Sequence, residues 1–277
     1  MKLRPTSPDY WATVPGGTFS LGLQEDESRA LVLANSGSGL SPERLRDEVP
    51  SHQQHVAGFL LAVVPLSNLA YQEFIQAGGY RELSLFRELT RDVGPKVEQV
   101  IARFVDASGQ PGPATWSEGR FPQDAELHPV EGISFYEAAA CARYFEARLP
   151  SEVEWEYAAR YPDGRHFPWG NEIETKEIAN FRWNKIGTTS QLGAFPAGVS
   201  ALGLLDLAGN VHEWTSSSYQ AYPGGKVRYR FAGDDSARVA RGGAHNGELW
   251  DLRCTSRFGV DALMRFPGLG LRLARSV

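Results

Sequence analysis

The sequence predicts an α+β domain, and two observations carry that prediction. Two helical segments introduced by serine, Ser134 to about Phe145 and Ser151 to about Arg160, follow each other closely. After them comes a long irregular stretch, then a Trp-bearing strand and a Gly-rich C-terminus. That order does not alternate strand and helix as an α/β chain would. The composition agrees: 29 glycines, seven Trp and ten Tyr suit tight turns around aromatic clusters.

Taken in order, Trp11 to Gly22 reads as a short strand broken by Pro15-Gly16-Gly17. Residues 24–50 are polar, with Ser-Gly-Ser-Gly at 36–39, and read as a surface excursion. Val56 to Val64 is an apolar run bounded by Pro65 and reads as one buried strand. Ser67 caps a helix from Asn68 to Gly78, with Leu69, Tyr71, Phe74 and Ile75 near one face and Gly78-Gly79 as the stop. Val97, Val100, Ile101 and Phe104 have helical spacing. In the first strong helix Phe135, Ala138, Ala139, Ala142 and Phe145 recur at three and four residues. In the second, Glu154 stands three residues after Ser151, the capping-box spacing. From 162 onward short strands and loops are expected.

The totals bound the function. With 277 residues, 42% of them hydrophobic and 22% charged, the chain can bury a sizeable core. A net charge of -5 with interspersed signs argues against nucleic acid as a partner. No apolar run approaches the ~18 residues that span a bilayer, and the first eight residues lack the apolar core of a signal peptide. No membrane partner is expected, and the cytoplasm is the default location. Cys141 and Cys254 are not in a Cys-x-x-Cys pair and read as buried thiols. His52 and His55, three apart on the approach to a strand, should point to opposite faces and share no metal. Arg148 and Arg160 read as structural partners of neighbouring acids, and Trp155, Trp169 and Trp214 as core.

Several blocks occur in a recognisable order: Val14-Pro-Gly-Gly-Thr-Phe-Ser-Leu-Gly22; Glu48-Val-Pro-Ser-His-Gln-Gln-His-Val56; His128-Pro-Val-Glu-Gly-Ile-Ser-Phe-Tyr-Glu-Ala138; Arg148-Leu-Pro-Ser-Glu-Val-Glu-Trp-Glu-Tyr-Ala-Ala-Arg160; Phe167-Pro-Trp-Gly170; Gly203-Leu-Leu-Asp-Leu-Ala-Gly-Asn-Val-His-Glu-Trp214; Arg241-Gly-Gly243; and Gly270-Leu-Arg272. Together they resemble the superfamily of formylglycine-generating enzyme, the sulfoxide synthases and related sulfatase-modifying-factor proteins. The resemblance implies a C-type-lectin-like fold with two main helices and short antiparallel strands. It covers residues 1–277 as one domain, with insertions at 24–47 and 80–115.

The same resemblance implies a structural calcium site. Asp206 and Glu213 would ligate through side chains, and Gly209 and Val211 through carbonyls. The donors are hard oxygens, as calcium requires; the alternative is that Asn210 and Glu213 only hydrogen-bond the loop. A second family site would fall on Asn180, Phe181, Asn184 and Ile186, where the spacing is compressed. Family copper is held by two cysteines between Arg-Gly-Gly and Gly-x-Arg, where soft thiolates suit copper(I). Only Cys254 lies there, so no copper is expected. The sulfoxide synthases' three-histidine iron site, two of its ligands on a separate bundle as His-x-x-x-His, is also missing.

With both metal centres missing, the sequence leans away from an enzyme. It points to a non-catalytic protein that binds a protein or small-molecule ligand. Residues 244–267 would form a variable binding surface like that of diversity-generating retroelement variable proteins. His245, Asn246, Leu249, Asp251, Phe258, Val260, Asp261, Leu263 and Phe266 show no amphipathic period and have codons reachable from a randomised Asn codon; Glu248, Trp250 and Met264 do not. The alternative is a non-haem metal-dependent oxidase of the superfamily acting on an amino-acid or peptide side chain. His212 and His245 stand where the family has bulky residues; they read as two hydrogen-bonded histidines near the surface, the alternative being that they face one cleft and bind a ligand or metal.

Overall fold

A computed structural model describes residues 4–91, 96–172, 177–227 and 236–277. The opening forms two strands, β1 (Trp11–Val14) and β2 (Gly17–Leu21). A ten-residue helix α1 (Glu25–Ala34) follows, where a surface excursion was expected. Three acids in its first turn favour the positive end of the helix, and Leu31 and Val32 pack onto a core that includes Leu40 and Leu45. Its apolar face is too narrow to dominate the pattern of a polar stretch.

The apolar run from Val56 to Val64 holds one strand, β4 (Phe59–Ala62), and a further strand, β3 (His52–Val56), ends where the run begins. Strand β1 pairs antiparallel with β4, and β2 with β3. The breaks face each other, because Val14 opposes Phe59 and Gly17 opposes Val56. Both ribbons bend at the same level, and Gly16 approaches the Gly58 amide so closely that a Cβ there would stand 3.1 Å from it. His52 and His55 do diverge: one ring packs on Tyr222, the other lies 3.3 Å from the Thr18 hydroxyl.

Helix α2 (Asn68–Gln76) is capped by Ser67, whose hydroxyl accepts from the Ala70 N–H. The short α3 (Ser84–Arg87) and α4 (Val97–Ile101) follow. Helix α5 (Phe135–Tyr144) has a full capping box of Ser134 and Glu137, and α6 (Glu152–Arg160) has one of Ser151 and Glu154. The second half supplies β5 (His212–Ser218), β6 (Ala237–Arg241), β7 (Phe258–Asp261), β8 (Leu269–Leu271) and β9 (Ala274–Ser276). Four of these form a sheet in the order β7-β6-β5-β8, with β8 parallel to β5. Strand β9 joins β4, tying the C-terminus to the opening strands. The main core lies between α2, α5 and the four-stranded sheet; a second lies between α6 and the β1-β4-β9 sheet. Among the described residues no helix is long and apolar enough to cross a membrane.

Helix α6 carries charge into the interior. Glu156 is fully buried and meets both Arg241 and Arg160, and Glu152 accepts two bonds from Arg257. Arg253 forms a two-pronged pair with Glu48, and Arg272 with Glu213. Arg148 makes the expected bidentate pair with Glu154, but with 37% of its side chain exposed. Trp155 and Trp214 are buried as expected; Trp169 is half-buried and stacks on Phe167.

A buried pair that loses one partner leaves an uncompensated charge, at a cost of about 3–5 kcal/mol, whereas an exposed pair contributes about 1 kcal/mol or less. Glu156→Gln is therefore expected to lower the unfolding free energy several-fold more than Arg148→Ala in urea titrations. Equal losses would show that burial does not set the strength of this network.

Candidate functional site

The turn before β5 is fixed by backbone conformation. Asp206, Gly209 and Asn210 all have positive φ, and a Cβ on Gly209 would stand 2.3 Å from the Asn180 carbonyl oxygen. Asn210 donates its N–H to that carbonyl, and its side-chain amide accepts from the Ser190 N–H and donates to the Ser190 carbonyl. The 180–190 loop is thereby tied to the start of β5, where His212 stands.

Gly268 is the meeting point of the polar groups. His212 donates its N–H to the Gly268 carbonyl, and Gly268 donates its own N–H to Glu131 at 2.5 Å. The same Glu131 oxygen lies 3.3 Å from Nε2 of His245, whose N–H bonds the Asn210 carbonyl. Gly268 has φ +88°, and a Cβ there would stand 2.9 Å from that of Ala244 and 3.2 Å from the Asn246 amide oxygen. Glu131, His212, His245 and Asn246 thus surround one glycine. The two histidines are buried, and the Nδ1 of each lacks a hydrogen-bond partner among the described residues. Such orphaned atoms are unusual in an interior and ask for a reason.

The His212 ring lies 4.6 Å from that of Phe258. Burial is the main cause that lowers its pKa to about 4; Asp251 opposes the shift and His245 adds to it. His212 is neutral at pH 7. Asp251 is held by Arg44 at 2.7 Å and by the Glu248 N–H.

The nine residues expected to form a binding surface are found in different settings. His245 belongs to the buried cluster beside exposed Asn246, and Leu249 lines a separate cleft. Asp251 is buried in its ion pair, and Val260 is in the core. Phe258, Leu263 and Phe266 pack against that core, and Asp261 accepts from the Leu263 N–H. Residues 258–261 are a paired strand. Glu131 was missed, although a lone acid between Val130 and Ile133 was a legible signal.

Of the residues expected to hold calcium, Gly209 and Val211 lie in the turn into β5. Asp206 accepts from the Gly193 N–H, and burial raises its carboxyl above the ordinary range. Glu213 receives Arg272 on both oxygens and the Trp155 indole N–H at 2.6 Å. In this arrangement no Glu213 oxygen is left for a cation. In the second set, Asn184 accepts from the Phe181 N–H, Asn180 donates to the Thr188 carbonyl, and Ile186 is exposed. Cys141 and Cys254 sit in different cores; burial pushes the Cys254 thiol up to about 12. Among the described residues no group of three or more His, Cys, Asp or Glu side chains could hold a metal ion.

Comparison with known proteins bears on both fold and function. Residues 2–277 match the family model described as Sulfatase-modifying factor enzyme 1-like domain. The hercynine oxygenase of Mycolicibacterium thermoresistibile is 31% identical over 256 residues, covering 85% of this chain and 55% of its own length, so the chain spans a little over half of that relative. PvdO from Pseudomonas aeruginosa superposes with a TM-score of 0.68 at 20% identity over 99% of this chain and 97% of its own. Treponema denticola variable protein 1 gives 0.60 at 17% identity over 96% and 95%. These likenesses confirm the expected C-type-lectin-like α+β fold. They do not support the variable-protein reading, because at such identity only the fold is shared. The non-catalytic ligand-binding reading is overturned by the sequence similarity to an oxygenase.

His212 yields a pH signature. An imidazole whose folded pKa lies below its ordinary 6.5 contributes stability that is whole above pH 6.5 and is lost as pH falls toward 4. Over that window the native chain is expected to lose about 3 kcal/mol more than His212→Gln in urea titrations; parallel curves would show that the ring titrates normally. Thermal melts with excess calcium and with EDTA are expected to coincide while Glu213 stays on Arg272. A calcium-dependent rise would show that Glu213 releases it.

Proposed function

The chain belongs to the Sulfatase-modifying factor enzyme 1-like family, and from that premise we propose that it serves an oxygenase or oxidase directed at an amino-acid or peptide side chain. The observation that carries this reading is the 31% identity with a hercynine oxygenase across 85% of the chain. Hercynine is the trimethylammonium betaine of histidine, so that relative's substrate is itself a modified amino acid.

We place the substrate-handling residues of such a site at the cluster around Gly268. Glu131 and His245 form an acid–imidazole pair, and Gly268 holds the carboxylate in place through its N–H. His212 stays neutral near pH 7 because burial opposes its protonation, and the burial of both histidines keeps water away from them. Burial also strengthens each electrostatic contact within the cluster. The Gly209 and Gly268 approaches fix the two loops, so the imidazoles are held by backbone geometry.

Calorimetric titration of the purified chain with hercynine, and oxygen uptake with hercynine and with histidine in the presence of ferrous iron, test the proposal. Binding is expected, with uptake that depends on the amino acid and falls by about a hundredfold in His245→Ala. Glu131→Gln should lower uptake and shift its pH profile, which a merely structural role would not do. Neither binding nor uptake with either compound would overturn the reading.

A further inference from the structure

A cleft of about 910 Å³ opens between the loop after α1, the turn at 181–185 and the turn at 248–250. None of Glu131, His212 and His245 lines it. We propose that it binds a small aromatic carboxylate, at a site separate from the cluster around Gly268. The proposal does not depend on the oxygenase reading.

The volume is within the range of small-molecule sites. The apolar part is aromatic. Phe181 and Trp250 are buried and form the floor, and the Trp250 indole is fixed by donating to the Ser38 carbonyl. Trp183 stands at the rim with 55% of its surface exposed, its ring nearly perpendicular to that of Phe181 at 6.4 Å. A large aromatic left this open beside a buried aromatic floor offers a face on which a planar ring can lie.

The charged part selects the sign. Arg44, Arg182 and Lys185 line the cleft against a single acid, Glu248. Arg44 is anchored by one bond to Asp251 and Arg182 by one bond to Glu248. A guanidinium has five N–H donors, so each is oriented by its acid and keeps donors for another anion. Lys185 makes no ion pair among the described residues and follows the turn with φ +57°, its N–H on the Arg182 carbonyl. Two guanidiniums oriented by their acids and one lysine without an ion pair among the described residues, beside an aromatic floor, match a flat ring that ends in a carboxylate. They disfavour a cation of the same shape.

Calorimetry with indole-3-acetate tests this, with tryptamine as the same ring bearing a positive charge and acetate as the same charge without a ring. Indole-3-acetate is expected to bind at least about tenfold more tightly than either control. Trp183→Ala and Lys185→Glu, both at exposed positions that leave the core intact, should each weaken it by about tenfold or more. His245→Ala should bind as the native chain does. Equal binding of tryptamine, or unchanged affinity in Trp183→Ala, would overturn the proposal. Binding lost only in His245→Ala would place the ligand in the other cluster and overturn it equally.

Discussion

The fold hangs on a set of arginines that have no route to water. Arg241, Arg253, Arg257 and Arg272 are each at most 1% exposed, and each must find its acid inside. Glu152 and Glu156 are one helical turn apart on α6, so one helix face meets Arg257 and Arg241 together. Burial alone would raise the Glu152 carboxyl, but Arg257 and then Arg241 outweigh it and hold it below the ordinary range. Glu48 shows the same balance with Arg253. These pairs join α6, β6, the 253–257 turn and the 47–48 segment, which come from distant parts of the chain. Arg272 does the same for the sheet by gripping Glu213 and donating to the Ala62 and Leu205 carbonyls.

That frame decides what the site can be. With Glu213 committed to Arg272, the strand start at His212 is held by charge from one side and by the Gly209–Asn180 approach from the other. The histidines therefore sit in a rigid, water-poor setting beside Glu131. The cleft by Trp183 lies outside this frame, on loops tied by ion pairs at its edge. Rigid interior and adaptable rim are thus separate parts of one surface.

The helices and their caps were legible. Ser134, Ser151 and Ser67 announce α5, α6 and α2, because a cap and a 3.6-residue period act within one turn of chain. Helix α1 was not, since its apolar residues are few and its partners Leu40, Leu45 and Phe167 come from elsewhere. Residues 244–267 misled for a related reason. A short helical turn, a continuously buried stretch over 250–257 and a strand follow one another there, so the segment shows no single period. Their scatter resembles a free surface although Asp251 and Val260 are interior.

The sequence by itself determined the fold class, the family blocks and the position of His212 and His245 as departures from bulky residues, because these depend on local chemistry and order along the chain. Only the tertiary structure decided that Glu131 joins them at Gly268, that Glu213 serves Arg272, and that Trp183 and three cations share a cleft. The first two of those facts are meetings of residues far apart in sequence: 59 positions for Glu213 and Arg272, 114 for Glu131 and His245 and 137 for Glu131 and Gly268. No local pattern encodes such a distance; it is set by which buried charges and close glycine contacts can be satisfied at once.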